Sequence, residues 1–203
     1  MDQVFLLSPA RCDGARARLL LHPTAAFDLA ERLRRREGAP LGEVFSFLSG
    51  LYFRGKLAYA SAFAQRTPSA PASWIITTDR GLVTPEHTVQ RDDLIAFSKV
   101  DIGAGDERYV TPLRRDAERL AAHIGAATRV VLLGSIATGK YADILMQVFE
   151  DRLVFPVEFV GRGDMSRGGL LLRHVREGRE LEYQPVRGAI RRGKRPPKLE
   201  RLR

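Results

Sequence analysis

Hydrophobic positions along the chain fall into short continuous runs separated by amphipathic stretches. Val4-Phe5-Leu6-Leu7, closed by Ser8-Pro9, reads as a buried first strand. Trp74 to Thr78 reads as a second strand, Val130 to Leu133 as a third, and Leu153 to Val160, which contains Pro156, as a fourth. Between the first two, Thr24 can cap a helix to Arg36 with Ala26, Phe27, Leu29, Ala30 and Leu33 on one face. Glu43 to Gln65 is a long helix-compatible run with Val44, Phe47, Leu48, Leu51, Ala58, Ala62 and Phe63 as inward candidates. Gly50 and Gly55 weaken its middle, so two shorter helices fit equally well. Thr111 caps a further helix to Ile124, with Pro112 in its first turn. Tyr141 to Glu150 is amphipathic, and a last helix follows Gly161-Arg162-Gly163-Asp164 through His174. Arg11 to Arg18 is basic and rich in small residues, Asp79 to Pro85 reads as a loop, and residues 86–110 carry no clear period.

Strands alternating with helices predict an α/β domain: three layers, α/β/α, around a small, mostly parallel central sheet. With 44% hydrophobic residues the chain can bury a core, which excludes wholesale disorder. No window approaches the roughly 18 uninterrupted apolar residues of a membrane span. The apolar run near Met1 is too short for a secretory h-region, and the lone Cys12 offers no internal disulfide. The expectation is a cytoplasmic, nucleoid-associated protein.

Charge adds a second feature. The chain carries 33 Lys and Arg against 24 Asp and Glu, a net of +9. Most of the excess lies between Arg187 and Arg203, where Arg187, Arg191, Arg192, Lys194, Arg195, Lys198, Arg201 and Arg203 face Glu200 alone. Gly193 and Pro196-Pro197 prevent a regular helix there. The expected organisation is a domain over residues 1–186 followed by a flexible basic tail over 187–203. Such a tail, Arg191, Arg192, Lys194 and Arg195 especially, suits a phosphate backbone, with DNA as the expected partner.

In parallel α/β sheets, ligands bind beyond the carboxyl ends of the strands. Those ends here are Ser8-Pro9-Ala10-Arg11, Thr78-Asp79-Arg80-Gly81, Gly134-Ser135 and Gly161-Arg162-Gly163-Asp164, each polar or glycine-rich. Asp79 and Asp164 are the candidate catalytic carboxylates, able to orient water or stabilise a sugar cation. Ser8, Arg11, Gly134, Ser135, Arg162 and Arg167 are candidate substrate contacts. Tyr52, Arg54 and Lys56 interrupt an apolar helix with an aromatic and two cations, a set suited to stacking on a base and pairing with phosphate. Gly134 to Lys140 has the glycine spacing of a P-loop, but Tyr141 replaces the magnesium-binding hydroxyl. His22, His87, His123 and His174 are scattered, so no metal site and no cofactor is expected. Cys12 lies beside Arg11, which could lower its pKa.

Leu7-Ser8-Pro9-Ala10, ending the first strand, resembles the opening of the YaaA-type peroxide-stress proteins. The chain also resembles a bacterial domain of unknown function in three blocks: Leu51 to Ala60, Trp74 to Pro85 with its Gly-Leu-Val-x-Pro ending, and Val130 to Leu145. A Gly-x-Gly loop before a helix, Gly161 to Leu172, completes the pattern. The family carries a basic residue where this chain has Asp79. The resemblance implies a fold like that of uracil-DNA glycosylases, also seen in archaeosine synthases, together with DNA binding and nucleobase handling. The Gly-Gln-Asp-Pro-Tyr and His-Pro-Ser loops of classical glycosylases are absent from the sequence.

The expected function is therefore excision of a modified or damaged nucleobase from DNA by N-glycosidic hydrolysis, in repair or antiviral defence. A non-catalytic DNA-binding stress protein is the alternative, and an enzyme of free nucleosides a third.

Overall fold

The computed structural model describes residues 2–64, 70–103, 105–197 and 199. In chain order the elements are β1 (Gln3–Leu7), α1 (Ala15–Leu20), α2 (Asp28–Arg34), β2 (Ala39–Pro40), α3 (Leu41–Ser49) and α4 (Leu51–Phe63). Then come β3 (Ser73–Ile76), β4 (Leu82–Val83), β5 (Thr88–Val89), α5 (Arg91–Ser98) and α6 (Glu107–His123). The chain closes with β6 (Arg129–Leu133), α7 (Ala142–Phe149), β7 (Leu153–Pro156), α8 (Asp164–Glu177) and β8 (Tyr183–Pro185).

The central sheet has the order β4-β3-β1-β6-β7-β8. β3, β1, β6 and β7 run parallel, and the two edge strands β4 and β8 are antiparallel. Beyond their first residues, Gln3 and Arg129, β1 and β6 are wholly apolar because both faces of the sheet are covered by helices. α4 packs against α8 on one side and α6 against α7 on the other, giving the expected three-layer α/β/α fold. No helix among the described residues is long and apolar enough to cross a membrane.

The crossover from β1 leads to β3 on one side, whereas that from β6 leads to β7 on the other. Chain direction therefore diverges between β1 and β6. The splayed connections leave a crevice at the carboxyl ends of these two strands.

Several boundaries differ from the sequence pattern. The run from Glu43 to Gln65 is two helices, divided at Gly50, whose φ of +61° continues neither. In α4 the buried set is Tyr52, Phe53, Gly55, Lys56, Tyr59 and Ala60, because the helix is covered by α8 as well as by α3 and the sheet. α2 begins at Asp28, not at a Thr24 cap. α6 starts at Glu107, with the Asp106 side chain accepting the Arg108 N–H, so Pro112 lies inside the helix and not in its first turn. The expected loop after Asp79 contains β4, and the unassigned stretch contains β5 and α5. The fourth strand stops at Pro156 and continues as a short turn of 3-10 helix, Val157–Phe159.

Residues 188–197 of the basic segment form neither helix nor strand but lie along the body. Arg191 pairs with Asp143 at 2.5 Å, and the Arg162 guanidinium donates to the Pro197 carbonyl at 3.4 Å. The Lys194 carbonyl comes within 2.2 Å of the point where a Gly161 Cβ would stand, an approach open only to glycine. Lys198, Arg201 and Arg203 lie outside the described residues.

Candidate functional site

A cavity of about 800 Å³ opens where β1 and β6 end. Ser8 to Arg11 line it from β1, and Ser135, Thr138, Lys140 and Tyr141 from the β6–α7 connection. Tyr52 of α4 and Asp164 at the start of α8 complete its inner wall. A second cavity of about 580 Å³ adjoins it, sharing Arg11, Asp13, Ile102 and Lys140 with the first and adding Lys99. The first is within the usual size of a small-ligand site.

The inner wall depends on a close helix crossing. A Cβ on Gly55 would stand 2.8 Å from the Gly168 carbonyl oxygen, and one on Gly168 would stand 2.7 Å from that of Leu51. Two glycines thus let α4 and α8 meet backbone to backbone, which brings Tyr52 and Lys56 against Asp164 and Arg167. Gly134 acts similarly at the end of β6. A Cβ there would meet the Tyr141 hydroxyl at 2.8 Å and Ser8 Cβ at 2.9 Å, so glycine makes room for both on the cavity floor.

Lys56 is fully buried. Its Nζ donates to the Ser8 carbonyl at 2.5 Å and to Ser8 Oγ at 3.0 Å, and lies 4.6 Å from the Tyr52 ring centroid and 4.5 Å from that of Phe53. Burial pulls its pKa down from the usual lysine value to about 7, opposed by the nearby Asp164 carboxylate and reinforced by Arg167. Tyr141 and Tyr52 are pushed up by burial, so both keep their phenolic protons. The Tyr52 hydroxyl is buried close to Arg167, with no well-formed hydrogen bond among the described residues.

Asp164 exposes 69% of its side chain, which leaves its carboxylate open to solvent, and among the described residues its one ion pair is with Arg167 at 3.4 Å. Arg167 is turned inward. Its Nε and Nη2 donate to the Phe159 carbonyl at 3.2 and 3.0 Å, which ties the first turn of α8 to the segment leaving β7. The cavity rim is basic, with Arg11, Arg16, Arg18 and Lys140 against Asp13 and Asp164. Arg11 is held by Asp13 at 2.9 Å, and Arg16 donates to the Phe47 carbonyl at 2.9 Å. The basic C-terminal segment reaches the same rim. An Arg191 guanidinium nitrogen lies 3.3 Å from the Cβ position of Gly139, which sits between the rim residues Thr138 and Lys140.

Of the residues singled out from sequence, Ser8, Arg11, Tyr52, Ser135 and Asp164 line one cavity, and Lys56, Gly134 and Arg167 support its wall. Others stand apart. Asp79 lines neither cavity; one carboxylate oxygen is buried without a hydrogen bond, and burial raises its pKa despite Arg80 at 3.6 Å. Arg54 is exposed and lines neither cavity. Arg162 is occupied by Glu158, Ser166 and Pro197. The Tyr52 ring, 5% exposed and covered by Lys56, has no face left for stacking on a base. The Cys12 thiol is pushed up to about 12 by burial and by Asp13 and Asp79, the reverse of activation, because Arg11 turns to Asp13. Among the described residues no cluster of three or more His, Cys, Asp or Glu is arranged to hold a metal.

Sequence reasoning passed over Arg16, Arg18, Thr138 and Lys140 as site residues. Arg16 and Arg18 belong to α1, whose six residues are too few for a visible period. Tyr141 entered as the start of an amphipathic helix, as a mismatch to the P-loop and as part of a block of resemblance, not as a site residue. Comparison of the chain with family models, with curated proteins and with solved structures gives no match.

Proposed function

We propose that this chain is a DNA-acting enzyme that takes a flipped nucleotide into the crevice between β1 and β6 and hydrolyses its N-glycosidic bond. The observation that carries the reading is a solvent-open carboxylate, Asp164, in the wall of a nucleotide-sized cavity whose rim is basic. An anionic backbone is attracted by Arg11, Arg16, Arg18, Lys140 and the exposed Arg192, Lys194 and Arg195. Turning one nucleotide out of the stack places its base in the cavity. Ser8 and Ser135 offer hydrogen bonds to the base edge. Asp164 then orients a water toward C1′ and offsets the positive charge that develops on the sugar. Asp79, which lines neither cavity, has no part in this scheme. The resemblance of Leu7-Ser8-Pro9-Ala10 to the YaaA-type opening agrees with it, because that segment forms the cavity floor.

The test is release of free base, with abasic-site formation, from duplexes bearing uracil, alkylated, deaminated, hydroxymethylated or glucosylated bases. Release abolished by Asp164→Asn supports the reading. Tight, salt-sensitive DNA binding without release from any duplex replaces it with a non-catalytic DNA-binding protein. That second reading is favoured by one feature, the absence of the water-activating loop of classical glycosylases from the sequence.

A further inference from the structure

A fully buried lysine with no carboxylate bonded to it calls for an explanation. Among the described residues, the hydrogen-bond partners of Lys56 Nζ are the carbonyl and the hydroxyl of Ser8. The charged and titratable groups facing it are Asp164 and Arg167 of α8 and Tyr52, one turn earlier on α4. Tyr141, just before α7, stands against Gly134 with its hydroxyl hydrogen-bonded to the Ser8 side chain and to the Ser135 backbone. The remaining cover is the Phe53 ring.

This pair of partners satisfies the amine in both protonation states. As an ammonium it donates to both Ser8 oxygens; with the Tyr141 hydroxyl donating to Ser8 Oγ as well, both acceptor positions of that oxygen are filled and its proton is left for the cavity. As a neutral amine it still donates to the carbonyl, while the Ser8 O–H turns back to donate to Nζ. Ser8 therefore presents a proton to the cavity when Lys56 is charged and withdraws it when Lys56 is neutral.

We propose that Ser8, recharged by Lys56, is the proton donor to the departing nucleobase, and that the crevice acts on neutral bases that leave only after protonation. This rests on the glycosidic reading above. In the step, the C1′–N bond breaks and its electron pair goes to the base. The base takes the Ser8 Oγ proton, and Ser8 takes one from the Lys56 ammonium. The water held by Asp164 adds to C1′ and gives its proton to that carboxylate. Solvent then returns a proton to Lys56 and removes one from Asp164. Because the ammonium is the active form, base release falls as pH rises through about 7, where burial places the lysine pKa.

The experiment measures single-turnover release from duplexes carrying uracil, hypoxanthine or 5-hydroxymethylcytosine, and from a duplex carrying 7-methylguanine, whose base is already cationic. Wild type, Ser8→Ala and Lys56→Met are compared from about pH 5 to about pH 9. Ser8→Ala removes a single oxygen, so it keeps the test valid if Lys56→Met fails to fold. The expected result is release of a neutral base that declines above neutrality. Each variant loses about 100-fold on that base and at most about 10-fold on 7-methylguanine, with the declining limb gone in Lys56→Met. Where only neutral bases are released, the loss and the missing limb decide. Equal losses on both kinds of base, no loss, or a rate that rises with pH overturns the relay and leaves the glycosidic reading standing. Release of no base by wild type overturns that reading and the relay together.

Discussion

Gly55 and Gly168 meet where α4 crosses α8, each occupying space that a side chain on the other helix would need. This contact sets the distance between Lys56 and Asp164, two groups on different helices that otherwise share no bond. Gly168→Ala places a methyl 2.7 Å from the Leu51 carbonyl oxygen and 2.8 Å from Tyr52 Cα, both backbone atoms that cannot swing aside. The expected cost is about 1–3 kcal/mol, read from a denaturant midpoint, because the helices must separate. An unchanged midpoint would show that the crossing is looser than described.

Lys56→Met fills the same space without a charge. The lysine pKa lies near 7 in the folded protein and at its ordinary higher value when unfolded. The unfolded state therefore binds more protons above neutrality, and wild-type stability rises with pH through that window. Below about pH 7 the charged form is buried and its cost is fully present. Lys56→Met is thus expected to raise the thermal midpoint at pH 6 by several degrees, and the gain should shrink toward pH 10. A gain independent of pH would contradict a shifted lysine.

Tyr52 carries a buried hydroxyl that lies close to Arg167 but makes no well-formed hydrogen bond among the described residues. Removing an unsatisfied buried polar group is neutral or favourable, by up to about 1 kcal/mol. Tyr52→Phe is expected to melt no lower than wild type. A drop of several degrees would reveal a partner for that oxygen.

The strands that form the floor of the crevice were legible from their apolar runs, since β1 and β6 are buried on both faces. The strand-end rule then found Ser8, Ser135 and Asp164. β8 was missed because Tyr183-Gln184-Pro185 is short, carries a proline and lies at an edge. Lys56 reads from sequence as a cation for a phosphate, because a lone helix pattern cannot reveal cover on two sides. Gly55 looked like a helix-weakening residue, and only the partner glycine 113 positions later explains it. Pro112 suggested a helix start, but the cap is Asp106, one turn and more upstream. At Lys56 and Gly55 what escaped the sequence was set by a contact from a distant element, α8.

The basic rim makes a separate prediction. Arg18 and Lys140 are exposed and line the cavity mouth. If each neutralises one phosphate, the double variant Arg18→Ala, Lys140→Ala reduces the slope of log affinity against log salt by about 2. The substitutions leave the melting temperature within a few degrees of wild type. An unchanged slope, measured by fluorescence anisotropy on a labelled duplex, would remove the rim from the DNA-binding surface.

The most direct measurement is base release by wild type, Asp164→Asn and Asp79→Asn on the panel of modified duplexes. The expected outcome is release by wild type, a loss of about 100-fold or more in Asp164→Asn with DNA affinity retained, and little change in Asp79→Asn. Loss confined to Asp79→Asn, or no release from any duplex, would contradict the assignment of the crevice as a glycosidic site.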